Sequence, residues 1–425
     1  MSRPSRRLVI VVRADPVICG HSGEARNLAE VALTRGFDDV RLLTWPIPVL
    51  QAAGLPLKPL DRITPYSEGI TVERPEPVGD YRVPDGRYLA GLTGRLVELL
   101  AEPVPTTCVS MYLAPHDAVV RDAVDAARAA GYAPDVHTIA KAVGSDVTNV
   151  IRSCLSERRF GAAVVLFTRF LANDQVIAVS EYTRQEIIAC AEAVDAHCGT
   201  RFAGECVRRL SVSYPPIDTS AYLDLDPALV DIALKRRGLE RDGYVLFLSR
   251  VTRAKGIYDL VDAFARCQAR SRLKLVVAGQ GPELEHLQAI TRHDDRILFL
   301  TDVEDEEKPL LMNGCAVYAL PTKPEPDFVE TFGIALTEKM LAGGGPVITT
   351  TTGGVGEAVG GTAIVVEAGN TTHIAAAIDR VALDMSAEER HLMEDRARAF
   401  ALSFDRVRVF DSLFATSGPA VVLTG

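Results

Sequence analysis

The chain has 425 residues, 48% of them hydrophobic and 24% charged, with a formal net charge of −10. This length is too great for one ordinary core and the apolar content is ample, so we expect two or three globular domains and not a disordered chain. The acidic balance speaks against nucleic acid as a partner, because binding to a phosphate backbone needs a basic face.

The cysteine spacing and the hydropathy of the sequence indicate the cellular compartment and bear on metal binding and membrane insertion. The eight cysteines form no C-x-x-C pair and show no zinc-site spacing with histidine, so we expect a reduced, cytoplasmic protein with no bound metal. The apolar run Leu8–Val12 is far too short for a signal-peptide core or a membrane span. We therefore expect no stable membrane insertion, and a monomer or a homodimer.

The first predicted elements are a strand and a glycine-containing turn into a helix. Leu8–Val12 is a continuous, mostly β-branched run, as in a strand buried on both faces of a parallel sheet. Gly20 and Gly23 precede an amphipathic segment, Glu24–Arg35, which predicts a helix. Small residues there allow a ligand to approach the backbone, and the helix end favours an anion. A plain turn with a helix cap fits these residues equally well.

The next segments continue the alternation of strands and helices. Val40–Leu43 predicts a strand, residues 45–90 form a long proline-rich excursion, and Thr107–Tyr112 predicts a further strand. His116 follows in a loop, where a lone histidine is more often a surface or capping residue than a catalytic one. Long excursions of this kind are often functional.

The end of the first half is marked by a capped helix and a proline pair. The run 174–179 predicts a strand, and Ser180 is placed to cap the helix that starts near Glu181. Pro215 and Pro216 stiffen the segment that follows, so we place a domain junction directly after it.

The second half opens with a strand and two cations. Tyr244–Arg250 predicts a strand that ends in Arg250, and Lys255 follows five residues later, just ahead of Gly256 and a helix start. Two fixed cations and a helix dipole can converge on one diphosphate. An exposed basic loop is the ordinary alternative for such residues.

The most informative stretch runs from Leu320 to Gly345. A strand end leads through a loop with Glu330 to Phe332-Gly333, and then to an apolar helix that carries Glu338. The helix start favours an anion, which two carboxylates would repel unless they bind something else. Sugar hydroxyls are the natural candidate, because ionised carboxylates are strong hydrogen-bond acceptors.

Glu330 and Glu338, separated by seven residues around Phe-Gly, resemble the E-x7-E signature of the retaining GT-B glycosyltransferases of the GT4 family, also called glycosyl transferases group 1. Four further segments resemble motifs of the same family: DQVIAVSEYTR at 174–184, SRVTRAKG at 249–256, VAGQGP at 277–282 and TTGGVGE at 351–357. The likeness is strongest over residues 240–380.

The resemblance implies an α/β protein of the GT-B class. In that fold two Rossmann-like β/α/β domains face each other across a cleft, and a C-terminal helix crosses back to the first domain. We predict an acceptor-binding domain at 1–218, which the proline-rich excursion helps to shape, and a nucleotide-sugar donor-binding domain at 219–400. Residues 401–425 would be the returning helix and tail.

The resemblance also assigns roles to individual residues. Glu330 would grip the donor sugar and Glu338 the ribose hydroxyls, while Arg250 and Lys255 would hold the donor diphosphate. His116 lies near the place of a family histidine close to the transferred sugar, but the usual H-x-H pattern is absent. The predicted catalytic residues are Glu330, Arg250, Lys255 and His116, and the predicted nucleotide-sugar-binding residues are Gly23, Arg250, Lys255, Gly279, Val303, Phe332, Gly333, Ile334 and Glu338.

The predicted activity is a retaining, metal-independent hexosyl transfer from a nucleotide-diphosphate sugar to a hydroxyl of a small molecule, such as a natural product. The nucleotide sugar would be a co-substrate, with UDP as the first expectation and GDP or ADP as alternatives, and no cofactor is expected. A sugar phosphorylase or an epimerase of the same fold, or a non-catalytic nucleotide-sugar-binding protein, remains the rival hypothesis.

Overall fold

The structure is a computed structural model that describes residues 6–76, 84–132, 134–326 and 328–415. The chain forms two compact units. The first unit consists of Met1–Pro216 together with Arg406–Gly425, and the second unit consists of Ile217–Asp405. Residues 77–83 of the predicted excursion and residues 416–425 of the predicted tail lie outside the described residues.

The first unit is built on a parallel sheet that has seven strands in the described residues, in the order β3-β2-β1-β4-β5-β6-β7. All neighbouring strands pair in parallel, as in the register that matches Val11 to Leu43 on one side and to Ser110 on the other. The strands are β1 Arg7–Val11, β2 Asp39–Leu43, β3 Ile70–Glu73, β4 Thr106–Met111, β5 Val136–Ala142, β6 Gln175–Ala178 and β7 Leu210–Val212.

Helices cover this sheet and bury its apolar strands. Every residue of β1 is buried, which confirms the strand predicted from the continuous apolar run. The helices are α1 Gly20–Thr34, α2 Ile47–Ala52, α3 Pro84–Leu100, α4 His116–Ala129, α5 Arg152–Ser156, α6 Phe160–Leu171, α7 Glu181–Cys198 and α8 Phe202–Arg209.

Two features of the first unit differ from the sequence prediction. Helix α1 begins at Gly20, four residues earlier than expected, because Cys19 is extended (φ −155°, ψ 160°) and the chain turns into the helix directly after it. The excursion at 45–90 is also more regular than expected, since it contains α2 and the edge strand β3. The predicted cap is confirmed: the Ser180 hydroxyl accepts a hydrogen bond from the Thr183 N–H at 3.1 Å.

The second unit has its own parallel sheet, with six strands among the described residues in the order β10-β9-β8-β11-β12-β13. The strand predicted from Tyr244 and the strand end predicted at Leu320 are both confirmed. The strands are β8 Tyr244–Leu248, β9 Lys274–Ala278, β10 Ile297–Leu300, β11 Val317–Leu320, β12 Val347–Thr349 and β13 Ile364–Val365, and the helices are α9 Pro227–Arg236, α10 Ile257–Arg266, α11 Leu284–Thr291, α12 Lys308–Gly314, α13 Ile334–Ala342, α14 Val355–Val359, α15 Thr371–Asp379 and α16 Ala387–Ala401.

The last described helix, α17 Arg406–Ala415, belongs to the first unit. Its Phe410 and Leu413 are buried in the same core as α1 and β1. Phe37, just after α1, contacts both Phe410 and Phe414 in edge-to-face geometry. The C-terminal helix thus returns to the first unit, as the predicted fold requires.

Candidate functional site

The predicted donor residues of the second unit gather where its sheet changes direction. From β8 the chain builds the sheet outward through β9 and β10, then returns to add β11 on the other side of β8. The carboxyl ends of parallel strands at such a switch point form the usual ligand crevice of open α/β sheets. Arg250 follows β8 by two residues, and the loop that contains Glu330 follows β11.

Arg250 presents an unused guanidinium at this switch point. Its side chain is exposed and lies 5.9 Å from the centre of the Phe328 ring, and no described residue forms a hydrogen bond or ion pair with the guanidinium. The neighbouring backbone is held firmly, because Cβ atoms at Gly279 and Gly281 would lie only 2.1 and 2.3 Å from the carbonyl oxygens of Ser249 and Val251. The five N–H donors of Arg250 therefore stand available on a rigid loop.

Lys255 lies beside the same aromatic ring, but it has a partner. Its ammonium is 5.7 Å from the centre of the Phe328 ring and forms an ion pair with Glu330, with side-chain exposures of 11% and 12%. Two of the predicted residues are thus in direct contact. Phe328, which the sequence did not indicate, lies against both cations, an arrangement that stabilises positive charge over the face of a ring.

The backbone of the Glu330 loop is fixed by a pair of glycines. The Gly354 N–H donates to the Glu330 carbonyl at 2.9 Å, and a Cβ at Gly353 would lie 2.1 Å from that oxygen. Just before these glycines, hydroxyls of the β11 and β12 ends bond one another at 3.0–3.1 Å, in a cluster of Thr322, Thr350 and Thr352. Only glycine, which has no side chain, allows positions 353 and 354 to approach the backbone of the Glu330 loop so closely.

The start of α13 follows the Glu330 loop. Gly333 is the N-cap with φ +106°, a conformation that glycine adopts without strain. Phe332 is buried and contacts Phe404 edge to face at 5.1 Å, which fixes the entry to the helix. The N–H groups of Ile334 and Ala335 at the start of this nine-residue helix precede the first carbonyl that the helix could offer them and favour an anion, whereas that of Leu336 bonds the Gly333 carbonyl at 3.0 Å.

Glu338 lies on α13 among polar groups that the sequence did not indicate. The Tyr222 hydroxyl and the Lys308 ammonium both lie close enough to its carboxylate to favour its ionised form. Burial raises the pKa of Glu338, against the lowering effects of Lys308 and Tyr222. The pKa of Tyr318 is raised mainly by burial. The negative charges of both Glu338 and Glu330 raise it further. The two predicted carboxylates therefore act on one neighbourhood.

Gly279 and Val303 occupy the same edge of the sheet. Gly279 directly follows β9 with φ +135°, and its lack of a side chain is explained by its approach to Ser249. Val303 is half-buried in the loop between β10 and α12. Contact of either residue with a nucleotide stays a prediction.

His116 and Gly23 belong to the first unit. His116 is buried as the first residue of α4; its Nδ1 bonds the Met111 carbonyl and its Nε2 accepts the Trp45 indole N–H at 3.3 Å. Burial lowers its pKa to about 4, so the ring is neutral near pH 7. Gly23 lies in the first turn of α1 and not in a loop ahead of it; it is exposed, with open space where a Cβ would be.

Two further properties concern the described residues only. Among them, no group of three or more His, Cys, Asp or Glu side chains is arranged to hold a metal ion. The two acids of the Asp224-Leu225-Asp226 sequence are not part of such a group. Both are exposed, and Asp226 caps α9 by accepting a hydrogen bond from the Ala228 N–H at 2.8 Å. None of the described helices is both long and apolar enough to span a bilayer.

Comparison with known sequences places the second unit in context. The model of the family "Glycosyl transferases group 1" matches residues 232–400, within the second unit. N-acetyl-alpha-D-glucosaminyl L-malate synthase from Bacillus anthracis is 32% identical over 165 residues, which are 37% of this chain and 40% of that protein. An uncharacterized glycosyltransferase from Methanocaldococcus jannaschii is 32% identical over 152 residues, 34% and 37% of the two chains. These matches span about two fifths of the length of each relative.

Solved structures are similar over nearly the whole chain. Anabaena Alr3699/HepE, in complex with UDP and glucose, superposes with a TM-score of 0.67 at 20% identity, covering 97% of this chain and 99% of that one. WaaG, a glycosyltransferase involved in lipopolysaccharide biosynthesis, gives a TM-score of 0.64 at 15% identity, covering 97% and 100%. At these identities the likeness shows a common fold.

Proposed function

Since residues 232–400 are a domain of the glycosyl transferases group 1 family and the chain has the GT-B fold, we propose that the protein transfers a sugar from a nucleotide-diphosphate sugar to a hydroxyl of a small-molecule acceptor. Transfer proceeds with retention at the anomeric carbon and without a bound metal ion. The observation that carries this proposal is the Arg250 guanidinium, which no described residue pairs and which lies with Lys255 against the Phe328 ring on a rigid loop at the switch point.

The diphosphate is the part of the donor that this geometry suits best. Arg250 can form two parallel hydrogen bonds to phosphate oxygens, and Lys255 adds a point charge beside it. The amides at the start of α13 contribute the positive end of a helix. As the bond from sugar to phosphate breaks, negative charge grows on the leaving diphosphate, and fixed donors stabilise that charge more than they stabilise the bound substrate.

The two carboxylates take the hydroxyls on either side of the diphosphate. Glu330 grips the donor sugar and stabilises its oxocarbenium-like centre, while Glu338 accepts hydrogen bonds from the ribose. The acceptor hydroxyl attacks from the side of the leaving group, and its proton passes to the departing phosphate. The surroundings of Glu338 support this assignment, because Lys308 and Tyr222 favour the ionised form of its carboxylate, which accepts hydrogen bonds.

We propose UDP as the nucleotide, with GDP and ADP as the alternatives. UDP is bound in Anabaena Alr3699/HepE, a protein of the same fold. The relative from Bacillus anthracis is named for an N-acetylglucosaminyl product, which makes N-acetylglucosamine a donor sugar to test alongside glucose.

A thermal-shift panel of UDP-, GDP-, ADP- and dTDP-sugars tests the donor. Because a ligand that binds only the folded state raises its stability by about 2.7 kcal/mol at a hundredfold excess over Kd, the cognate nucleotide should raise Tm by several degrees. Donors with the wrong base should leave Tm near its ligand-free value. A flat response to all four would contradict the proposal.

Tyr222→Phe should raise the KM for the donor about tenfold and leave kcat nearly unchanged. The change removes the Tyr222 hydroxyl that favours the ionised carboxylate of Glu338, and a polar interaction with a charged group is worth roughly 1.5–3 kcal/mol. Initial rates over a range of donor concentrations measure both constants. The matched control is Tyr258→Phe, which deletes a 2.6 Å hydrogen bond from a tyrosine hydroxyl to a different glutamate, Glu283, and should leave KM unchanged. Equal KM values for the two variants would show that Tyr222 has no role in donor binding.

A further inference from the structure

Arg13 of the first unit occupies the position that Arg250 occupies in the second. The first sheet changes direction between β1 and β4, as the second does between β8 and β11. Arg13 follows the end of β1 by two residues, and Arg250 follows the end of β8 by two residues. Each arginine therefore lies at the switch point of its own sheet, where open α/β sheets bind ligands.

The surroundings of the two arginines are also alike. The Arg13 guanidinium lies 5.4 Å from the centre of the Tyr112 ring, and Tyr112 directly follows β4, the strand across the switch point. The Phe328 ring lies at a similar distance from Arg250, 5.9 Å, in the loop that follows β11. No described residue forms a hydrogen bond or ion pair with the Arg13 guanidinium, although it is half-buried. Its five donors are unused.

Asp15, two residues further along the chain, and Asp146, which like Arg13 acts on Tyr112, are already bonded elsewhere. Asp15 accepts two hydrogen bonds from Arg26, at 2.8 and 3.1 Å, and a third from the Tyr66 hydroxyl. Asp146 accepts from the backbone N–H groups of Leu113, Val143, Gly144 and Val147 at 2.9–3.3 Å. His116, whose pKa Arg13 helps to lower, is neutral. Among the described residues, no carboxylate therefore forms an ion pair with Arg13.

The Tyr112 ring also connects Arg13 to the start of α1, where a buried hydroxyl has no partner among the described residues. His21 lies on the first turn of α1, and the centre of its ring is 6.0 Å from the centre of the Tyr112 ring. The next residue, Ser22, is 2% exposed, and its hydroxyl has no hydrogen-bond partner among the described residues. Tyr112 has φ +102°, an unusual backbone conformation for a bulky residue, which proteins retain mainly at functional positions.

We propose that the first unit binds an anionic group of its ligand, a phosphate or a carboxylate, at Arg13. The inference rests on the proposed function in taking this ligand to be the sugar acceptor. A guanidinium that is half-buried and unpaired forms its strongest bonds with a planar carboxylate or a phosphate. The acceptor is therefore a hydroxyl compound that carries an acidic group, and Arg13 selects it over its neutral counterpart.

Titration of the full-length protein with glycerol 3-phosphate, glycerate and glycerol tests the inference. Saturating UDP is present throughout, so that the diphosphate site cannot take the probe. We expect the wild type to bind glycerol 3-phosphate or glycerate, whichever matches the acceptor anion, and not to bind glycerol. Arg13→Gln should weaken that binding at least tenfold, and Arg13→Lys should weaken it less. Isothermal titration calorimetry gives the affinities.

The controls separate this inference from the proposed function. Arg201→Gln removes an exposed charge between α7 and α8 and should leave anion affinity unchanged. UDP affinity should be the same in Arg13→Gln as in the wild type. If the wild type binds UDP but neither anion, or if Arg13→Gln binds the anion as tightly as the wild type, the inference is wrong while the donor assignment stands. A wild type that fails to bind UDP would instead overturn the proposed function.

Discussion

Arg250→Ala should lower kcat about 10²-fold or more and weaken UDP binding as well. The guanidinium carries donors that no described residue uses, and removing one fixed donor to developing negative charge costs about 10²–10³ in rate in other enzymes. Lys255→Ala should have an effect of the same order. Donor turnover at saturating substrate, together with calorimetric titration of UDP, measures both parts of the loss.

The matched control for Arg250→Ala is Arg253→Ala. Arg253 lies three residues further along the same loop, but its side chain is 63% exposed and pairs with Glu283 at 3.2 Å. Its removal should change kcat by less than twofold. If both Arg250→Ala and Lys255→Ala turned over the donor as fast as the wild type, the diphosphate would not bind at these residues.

Gly256→Ala should destabilise the second unit by about 3 kcal/mol or more, a large share of the total stability of a domain. The residue has φ +72°, and a Cβ there would lie 1.9 Å from the Pro321 carbonyl oxygen. The backbone of the loop after β11 would have to move, and that loop carries Glu330. Urea denaturation followed by far-UV circular dichroism measures the free energy of unfolding, and donor turnover should fall at the same time.

Gly238→Ala provides the comparison that isolates the clash. Gly238 has nearly the same backbone angle, φ +66°, but nothing lies within 4 Å of a Cβ at that position. The free energy of unfolding of Gly238→Ala should fall by only about 1–2 kcal/mol, which is the cost of a left-handed backbone conformation for a residue other than glycine. If both variants lose the same free energy, close packing of Gly256 against Pro321 contributes nothing.

The strands of both sheets could be predicted because burial on two faces demands continuous apolar runs. The strand predicted from Tyr244 to Arg250, for example, is observed as Tyr244–Leu248 with every residue buried, so only its end lies two residues earlier than predicted. The start of α1 was missed because Gly20 and Gly23 are weak helix formers, whereas the extended Cys19 begins the helix regardless. The edge strand β3 was missed because four residues inside a proline-rich segment give little periodicity.

Site residues that share a loop or motif could be predicted, and those that meet only in three dimensions could not. Arg250, Lys255 and Glu330 were indicated by their positions after predicted strands. Phe328 and Tyr222 gave no signal, because a single aromatic residue in a loop looks like any other packing residue. Their contacts with the cations and with Glu338 depend on how β8, β11 and α13 come together.

The ion pair between Lys255 and Glu330 has a consequence for the thermodynamics of donor binding. A free lysine or glutamate side chain loses about 1.5–2 kcal/mol of rotamer entropy when it becomes fixed. Here both side chains are immobilised by each other before any ligand arrives, so that loss belongs to folding and not to association. Calorimetry should accordingly show a smaller entropic penalty for UDP-sugar binding than in a Glu330→Ala variant, in which the lysine is ordered only by the incoming phosphate.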